Sequence, residues 1–292
     1  HESASIPPKY FYDRLGCALY GAICELPEYY PTRTERAIFV EHREAIAAAI
    51  GAGGQFVDLG AGDCCKAEGW LPFVMPSRYV AVDLAEDALS RSLARIADAF
   101  PETEVLGLVV DFTDGIDLGT DLDDRPATFF YPWSSIGNFS PQHARNFLAG
   151  VRRHFGTRPG SSLLIGVDTK KEVMRLVRAY ADPTGVTAAF NRNVLNHVNR
   201  LVGSDLHPEA WSHVALYDAS RSRVEMHLEA TAAQVVSIAG APRRFAAGER
   251  IHTENAYKYE PAEFEALLRS AGYARIRRWQ DADGAFAVFH AA

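Results

Sequence analysis

The sequence is short of several features, and each shortage closes off a class of function. Its 292 residues include only four cysteines, Cys17, Cys24, Cys64 and Cys65. None forms a CxxC pair, whereas zinc sites draw on paired knuckles with about two to four residues between ligands. Reduced thiols packed as small apolar groups are therefore expected, and no metal site. No apolar run approaches the roughly 20 residues that span a bilayer. The opening "HESASIPPKYFYD" lacks the basic-then-apolar pattern of a signal peptide. Positive charge is also in deficit: the formal net charge is −7, which argues against an electrostatic nucleic-acid binder.

What remains is an ordinary globular composition, 48% hydrophobic and 23% charged. The length suits one large domain or two modest ones. A monomer-sized cytoplasmic enzyme acting on a small molecule is the expectation, with no nucleic-acid or membrane partner.

The apolar pattern predicts a helix over residues 35–50, closed by Gly51 and the Gly53-Gly54 pair. Five strands are expected in "QFVDLGAG", "RYVAVDLA", "EVLGLVVDFT", "ATFFYPWSSIGNF" and "SSLLIGVDT", with a helix in "AEDALSRSLARIADAF". Continuous apolar strands alternating with helices imply a parallel sheet covered on both faces, an α/β fold. Ligands of such sheets bind at the carboxyl ends of the strands. Asp58, Gly60, Asp83, Asp111, Asn138 and Asp168 are expected at those ends. Residues before about 34 show little periodicity, 170–202 read as helical, and 224–238 alternate like a half-exposed strand. A helix at 261–271 and a hairpin turning at Asp283-Gly284 complete the pattern. A sheet domain interrupted by a second lobe follows.

"VDLGAGD" holds GxG but not GxGxxG, because Cys65 stands in the third glycine's place. Gly60 and Gly62 allow a ligand to approach the backbone closely. Asp83, about 20 residues on, suits ribose hydroxyls, and Asp111-Phe112 suits an adenine. A pyrophosphate would favour a bare helix N-terminus; the acidic loop better suits a cationic sulfonium. The arrangement looks like that of class I S-adenosylmethionine-dependent methyltransferases.

Six motifs extend the likeness: "LPEYYPTRTE", "DLGAGDCCK", "DFTDG", "SSIGNF", "GVTAAFNRNVL" and "HTENAYKY". Together, in order and over nearly the whole chain, they resemble the histidine-specific Nα-methyltransferases of ergothioneine biosynthesis. That resemblance implies a Rossmann-like class I sheet over 34–169 and 260–292, and an α+β substrate-binding lobe over 1–33 and 170–259. It implies transfer of three methyl groups from S-adenosyl-L-methionine to the α-amine of L-histidine, giving hercynine. Gly60, Lys66, Asp83, Asp111, Phe112 and Ser135 would hold the cofactor, Lys66 at its carboxylate and Asp83 at its ribose. Tyr29, Asn138 and Tyr180 would align the substrate's carboxylate and α-amine, with Tyr12 nearby. Glu254, beside Met226, would read the imidazole. In-line transfer to an activated carbon needs alignment rather than a nucleophilic side chain or a metal.

Two positions depart from the family pattern. Ala256 stands where a serine is usual, removing a hydrogen bond to the ring worth about 0.5–1.5 kcal/mol, unless Asn255 or water compensates. Trp133 stands where a glycine is usual, and its indole would stabilise a methylated ammonium, crowd the third methylation, or point elsewhere. His197, His213, His227 and His252 read as surface or structural. The competing functions are N-methylation of another amino acid such as tryptophan, or arrest at one or two methyl groups. Outside this chemistry stand an NAD-dependent dehydrogenase and a silent scaffold.

Overall fold

The structure, a computed structural model, describes residues 4–113 and 115–292, without the side chains at 87 and 88. Asp114 of the "DFTDG" motif lies outside the described residues. The chain falls into two compact units. One comprises the chain up to Thr32 with Lys171–Lys258; the other comprises Arg33–Lys170 with Tyr259–Ala292.

The second unit is built on seven strands: β1 (Gln55–Leu59), β2 (Arg78–Asp83), β3 (Glu104–Val109), β4 (Ala127–Tyr131), β5 (Ser162–Asp168), β6 (Ile276–Gln280) and β7 (Phe286–Ala291). They lie side by side as β6-β7-β5-β4-β1-β2-β3. Strands β1 to β5 pair in parallel, and β7 runs antiparallel to both β5 and β6. Every residue of β1, β4, β5 and β7 is buried. These are the continuous apolar runs of a sheet covered on both faces. The strand order reverses between β1 and β4, so the crevice for a ligand opens beyond the carboxyl ends of those two strands. The expected α/β class is what the chain forms.

Several boundaries differ from the sequence reading. The helix expected at 35–50 starts earlier, at Tyr30, and breaks into Tyr30–Glu41 and Arg43–Ile50. Pro31 fits its first turn because a missing N–H costs nothing there. Strand β3 stops at Val109, so Asp111 and Phe112 lie in the loop beyond it. Asp58, expected at a strand end, is inside β1.

In the first unit Ala4–Ser5, Arg250–Tyr257, Arg223–Ala230 and Trp211–Asp218 form a sheet in that order, and Gln234–Ile238 pairs with Ala241–Phe245 separately. The segment 224–238 is thus two strands of different sheets. The stretch 170–202 is two helices, Val173–Tyr180 and Val186–Val202. Between them the Asp182 carboxylate accepts from the Val186 and Thr187 N–H groups at 3.1 and 2.8 Å, capping the second helix. A helix at Arg14–Cys24 occupies the segment that looked aperiodic; it buries only Gly16 and Ile23, too little to leave a pattern. One apolar core, including Phe11, Tyr29, Phe190, Met226 and Leu228, joins these helices to the sheet. No helix among the described residues is long and apolar enough to cross a membrane.

Asp58 is 2% exposed, and Tyr79 Oη donates to its Oδ2 at 2.9 Å. Burial pushes its carboxyl up to about 7, against the opposing effect of the Tyr79 bond. Its proton is therefore held more tightly in the folded chain than in the unfolded one, where the ordinary value is 3.8. Stability must fall as pH rises through that interval. Urea unfolding of Asp58→Asn and the unsubstituted chain from pH 4 to 8 is the check. The unsubstituted chain should lose on the order of 2–4 kcal/mol relative to the variant over that range; parallel curves would contradict this.

Candidate active site

In the second unit the turn after β1 carries Gly60 at φ 71° and Gly62 at φ 54°, a region open to glycine at little cost. A Cβ at Gly62 would meet nothing within 4 Å, and one at Gly60 only Phe112 Cζ at 4.0 Å. The backbone thus faces open space. Asp83, at the end of β2, accepts from the Gly62 N–H through Oδ2 and from the Ala85 N–H through Oδ1, both at 2.8 Å. These bonds fix its carboxylate while leaving acceptor capacity for hydroxyls. Phe112 is half-buried, 6.1 Å from the Tyr131 ring and 5.8 Å from that of Phe147. Asp111 is exposed, its Oδ1 taking the Thr113 N–H at 3.0 Å. A glycine floor, a fixed carboxylate and an aromatic face fit an adenosyl group.

The same unit holds a buried carboxylate that the sequence reading left without a role. Glu35 has no exposed surface. It forms an ion pair with Lys66, and its Oε1 accepts the Trp133 N–H at 3.0 Å. A Cβ at Gly166 would come within 1.9 Å of Glu35 Oε1, so the carboxylate occupies the room this glycine leaves. The signal for Glu35 was present: it shares the buried stripe of its helix with Ile38 and Phe39, where a lone acid stands out.

Trp133 sits at φ 71° and Ser134 at φ 56°. The left-handed backbone explains why glycine suits position 133, and it costs a tryptophan about 1–2 kcal/mol. Its indole lies over Lys66, with Nζ 3.3 Å from a ring centroid. Asn138 is not among the left-handed residues; it closes the 3₁₀ turn Ser135–Asn138. The Ser135 hydroxyl donates to the Pro132 carbonyl at 3.4 Å.

The first unit gathers the other candidates. Glu254 pairs in register with Met226 across the antiparallel strands, which puts both side chains on one face. That face otherwise carries Val224, Leu228 and Ala256, yet the Glu254 residue is only 8% exposed. Asn255 points to the opposite face, where its Oδ1 meets His252 Nε2 at 2.9 Å; it does not replace the serine absent at Ala256. His227 and His252 belong to that second face, His227 bonding Glu225 at 2.8 Å.

Four tyrosines form an edge-to-face row, with centroids 5.8 Å apart for Tyr12 and Tyr20, 6.4 Å for Tyr20 and Tyr29, and 6.2 Å for Tyr29 and Tyr180. Tyr20 went unassigned in the sequence because its helix did. Burial, then neighbouring Tyr180, raises the Tyr29 phenol well above its ordinary range. Tyr12 keeps 37% of its surface open. Even so, the enclosure of its hydroxyl end, followed by nearby Glu254, raises it likewise. Both therefore remain neutral donors at any working pH.

Residues 1–292 match the family described as histidine-specific methyltransferase, SAM-dependent. The chain belongs to that family. It is thus an S-adenosylmethionine-dependent amino acid N-methyltransferase. It is 38% identical over 290 residues to a histidine N-alpha-methyltransferase of Mycolicibacterium smegmatis, covering 97% of this chain and 89% of that one. The figure is also 38% over 298 residues for the histidine N-alpha-methyltransferase of Mycobacterium tuberculosis, covering 99% and 90%. Ergothioneine biosynthesis protein 1 of Neurospora crassa is 28% identical over 94% of this chain, which spans 32% of that longer protein.

The Trp133 backbone gives this family member a testable peculiarity. Alanine normally matches or exceeds glycine in stability, but not at positive φ. Urea unfolding of Trp133→Gly and Trp133→Ala should show the glycine variant more stable by about 1 kcal/mol. The reverse order would contradict the left-handed turn.

Proposed function

We propose that this methyltransferase acts on the α-amine of L-histidine, up to the Nα,Nα,Nα-trimethyl product. The observation that carries the reading is Glu254: a carboxylate 8% exposed, set between Met226 and Ala256 on an apolar face. A carboxylate on that face can accept a ring N–H from the substrate, and an imidazole N–H is a suitable donor. Aliphatic side chains bring no ring N–H to it.

In this reading Gly60, Asp83, Asp111, Phe112 and Ser135 hold the adenosyl part of the cofactor, and Lys66 its carboxylate. Bound S-adenosylmethionine supplies a methyl group already activated by its sulfonium. Tyr12, Tyr29 and Tyr180 orient the amino acid through neutral hydroxyls, which hold a zwitterion without adding a competing charge. No protein nucleophile or metal takes part. Trp133 serves the cofactor side, since its ring covers Lys66. Ala256 favours a second reading, in which the loosened ring pocket admits another amino acid or methylation stops early.

The test is mass spectrometry of products from the purified protein with S-adenosylmethionine and L-histidine, run beside tryptophan and other amino acids. Histidine should gain three methyl groups. Glu254→Gln should raise the histidine KM about tenfold or more with a smaller change in kcat. Turnover of another amino acid without any histidine product would overturn the proposal.

A further inference from the structure

Lys258 follows the strand that carries Glu254 and Ala256, and it is 3% exposed. A lysine that deep is tolerated only where its ammonium finds hydrogen-bond partners. Its Nζ donates to Tyr180 Oη at 2.9 Å and stands 4.8 Å from the centre of that ring. An ammonium has donors only. The phenol oxygen must therefore accept, and its own proton turns away from Lys258 toward some other acceptor.

Tyr180 is held from behind as well. Asn191 Nδ2 lies 2.8 Å from His213 Nδ1, and an amide nitrogen can only donate, so Nδ1 is the acceptor and the ring proton sits on Nε2. That Nε2–H donates to the Tyr180 carbonyl at 2.7 Å. Burial, against the Tyr180 bond, lowers the His213 pKa and keeps the ring neutral. The histidine read as structural thus anchors the end of helix Val173–Tyr180. In front, the Tyr180 ring meets Tyr29 at 6.2 Å, and Tyr29 in turn is close enough to Glu254 to be affected by its charge. The sequence of groups runs from the Lys258 ammonium through two phenols to the Glu254 carboxylate. An α-amino acid with an N–H-bearing ring has the opposite polarity: a carboxylate at one end and a donor at the other.

We propose that Lys258 is a positioning residue that fixes Tyr180 as the hydrogen-bond donor to the substrate's carboxylate, so that the enzyme selects α-amino acids over amines lacking that group. The inference rests on the reading of Tyr180 as a substrate contact. Calorimetry with L-histidine and with histamine, the same molecule without the carboxylate, tests it in the presence of S-adenosylhomocysteine. Lys258→Met should weaken histidine binding about tenfold or more while histamine stays within about twofold. Lys258→Arg should restore most of the loss. Tyr180→Phe, which keeps the ring, should reproduce the effect, and the double variant should add little to either. If Lys258→Met does not fold, Lys258→Gln, which keeps a polar end, carries the same comparison of histidine with histamine. An unchanged histidine preference in Lys258→Met, or equal weakening of both ligands, overturns the assignment. Absence of histidine binding in the folded unsubstituted protein would instead overturn the functional reading, and this inference with it.

Discussion

Glu35 is a carboxylate with no exposed surface, and its neighbours in the second unit are arranged around that fact. Lys66 balances its charge, the Trp133 N–H takes its second oxygen, and Gly166 leaves the space it fills. Breaking such a buried pair by removing one partner costs about 3–5 kcal/mol, since the other charge is left uncompensated. The arrangement also sets directions. Lys66 is held against a known neighbour, and the turn leaving β4 is pinned in a left-handed course that places Ser135 and Asn138 next in line. The strain of a tryptophan at positive φ is offset by that hydrogen bond and by the ammonium over its ring, a contact worth about 0.5–2 kcal/mol. The departure from glycine at position 133 is therefore a local compensation within one cluster.

The sheet of the first unit follows a different rule. There the sheet offers one polar face, with Arg223, Glu225, His227, His252 and Asn255 bonded among themselves, and one apolar face. Glu254 is the acid on the apolar side. Its charge acts on the phenols of Tyr12 and Tyr29, which donate without carrying charge, and the Lys258 ammonium donates to a third phenol, Tyr180. Methyl transfer to an amine asks for alignment and for a pocket that does not favour the ammonium form. In the proposed reading, neutral donors around the zwitterion and a positive group behind Tyr180 meet both needs.

Much of this was readable in the residues. The strands of the sheet are apolar runs, so β1 to β5 stood out, and the glycine turn with Asp83 pointed to the end where such sheets bind ligands. Elements whose support is tertiary did not stand out. Helix Arg14–Cys24 shows too small a buried face to leave a period, and the His42 break in the long helix has no proline or glycine to mark it. Glu35 and Lys258 matter through partners distant in sequence, Lys66 at 31 residues and Tyr180 at 78; spacing along the chain cannot show that. Asp58, expected at the end of its strand, lies within it instead, where Tyr79 donates to its carboxyl.

Under the proposed function two separate sets of residues read two ends of the reaction, Glu254 the imidazole and Lys66 the cofactor's carboxylate. A crystal structure of the complex with S-adenosylhomocysteine and L-histidine tests it most directly. The account expects an imidazole nitrogen within hydrogen-bond distance of Glu254 and the cofactor's carboxylate on Lys66 beside the Trp133 indole. A histidine ring bound away from Glu254, or a cofactor whose carboxylate avoids Lys66, would contradict it.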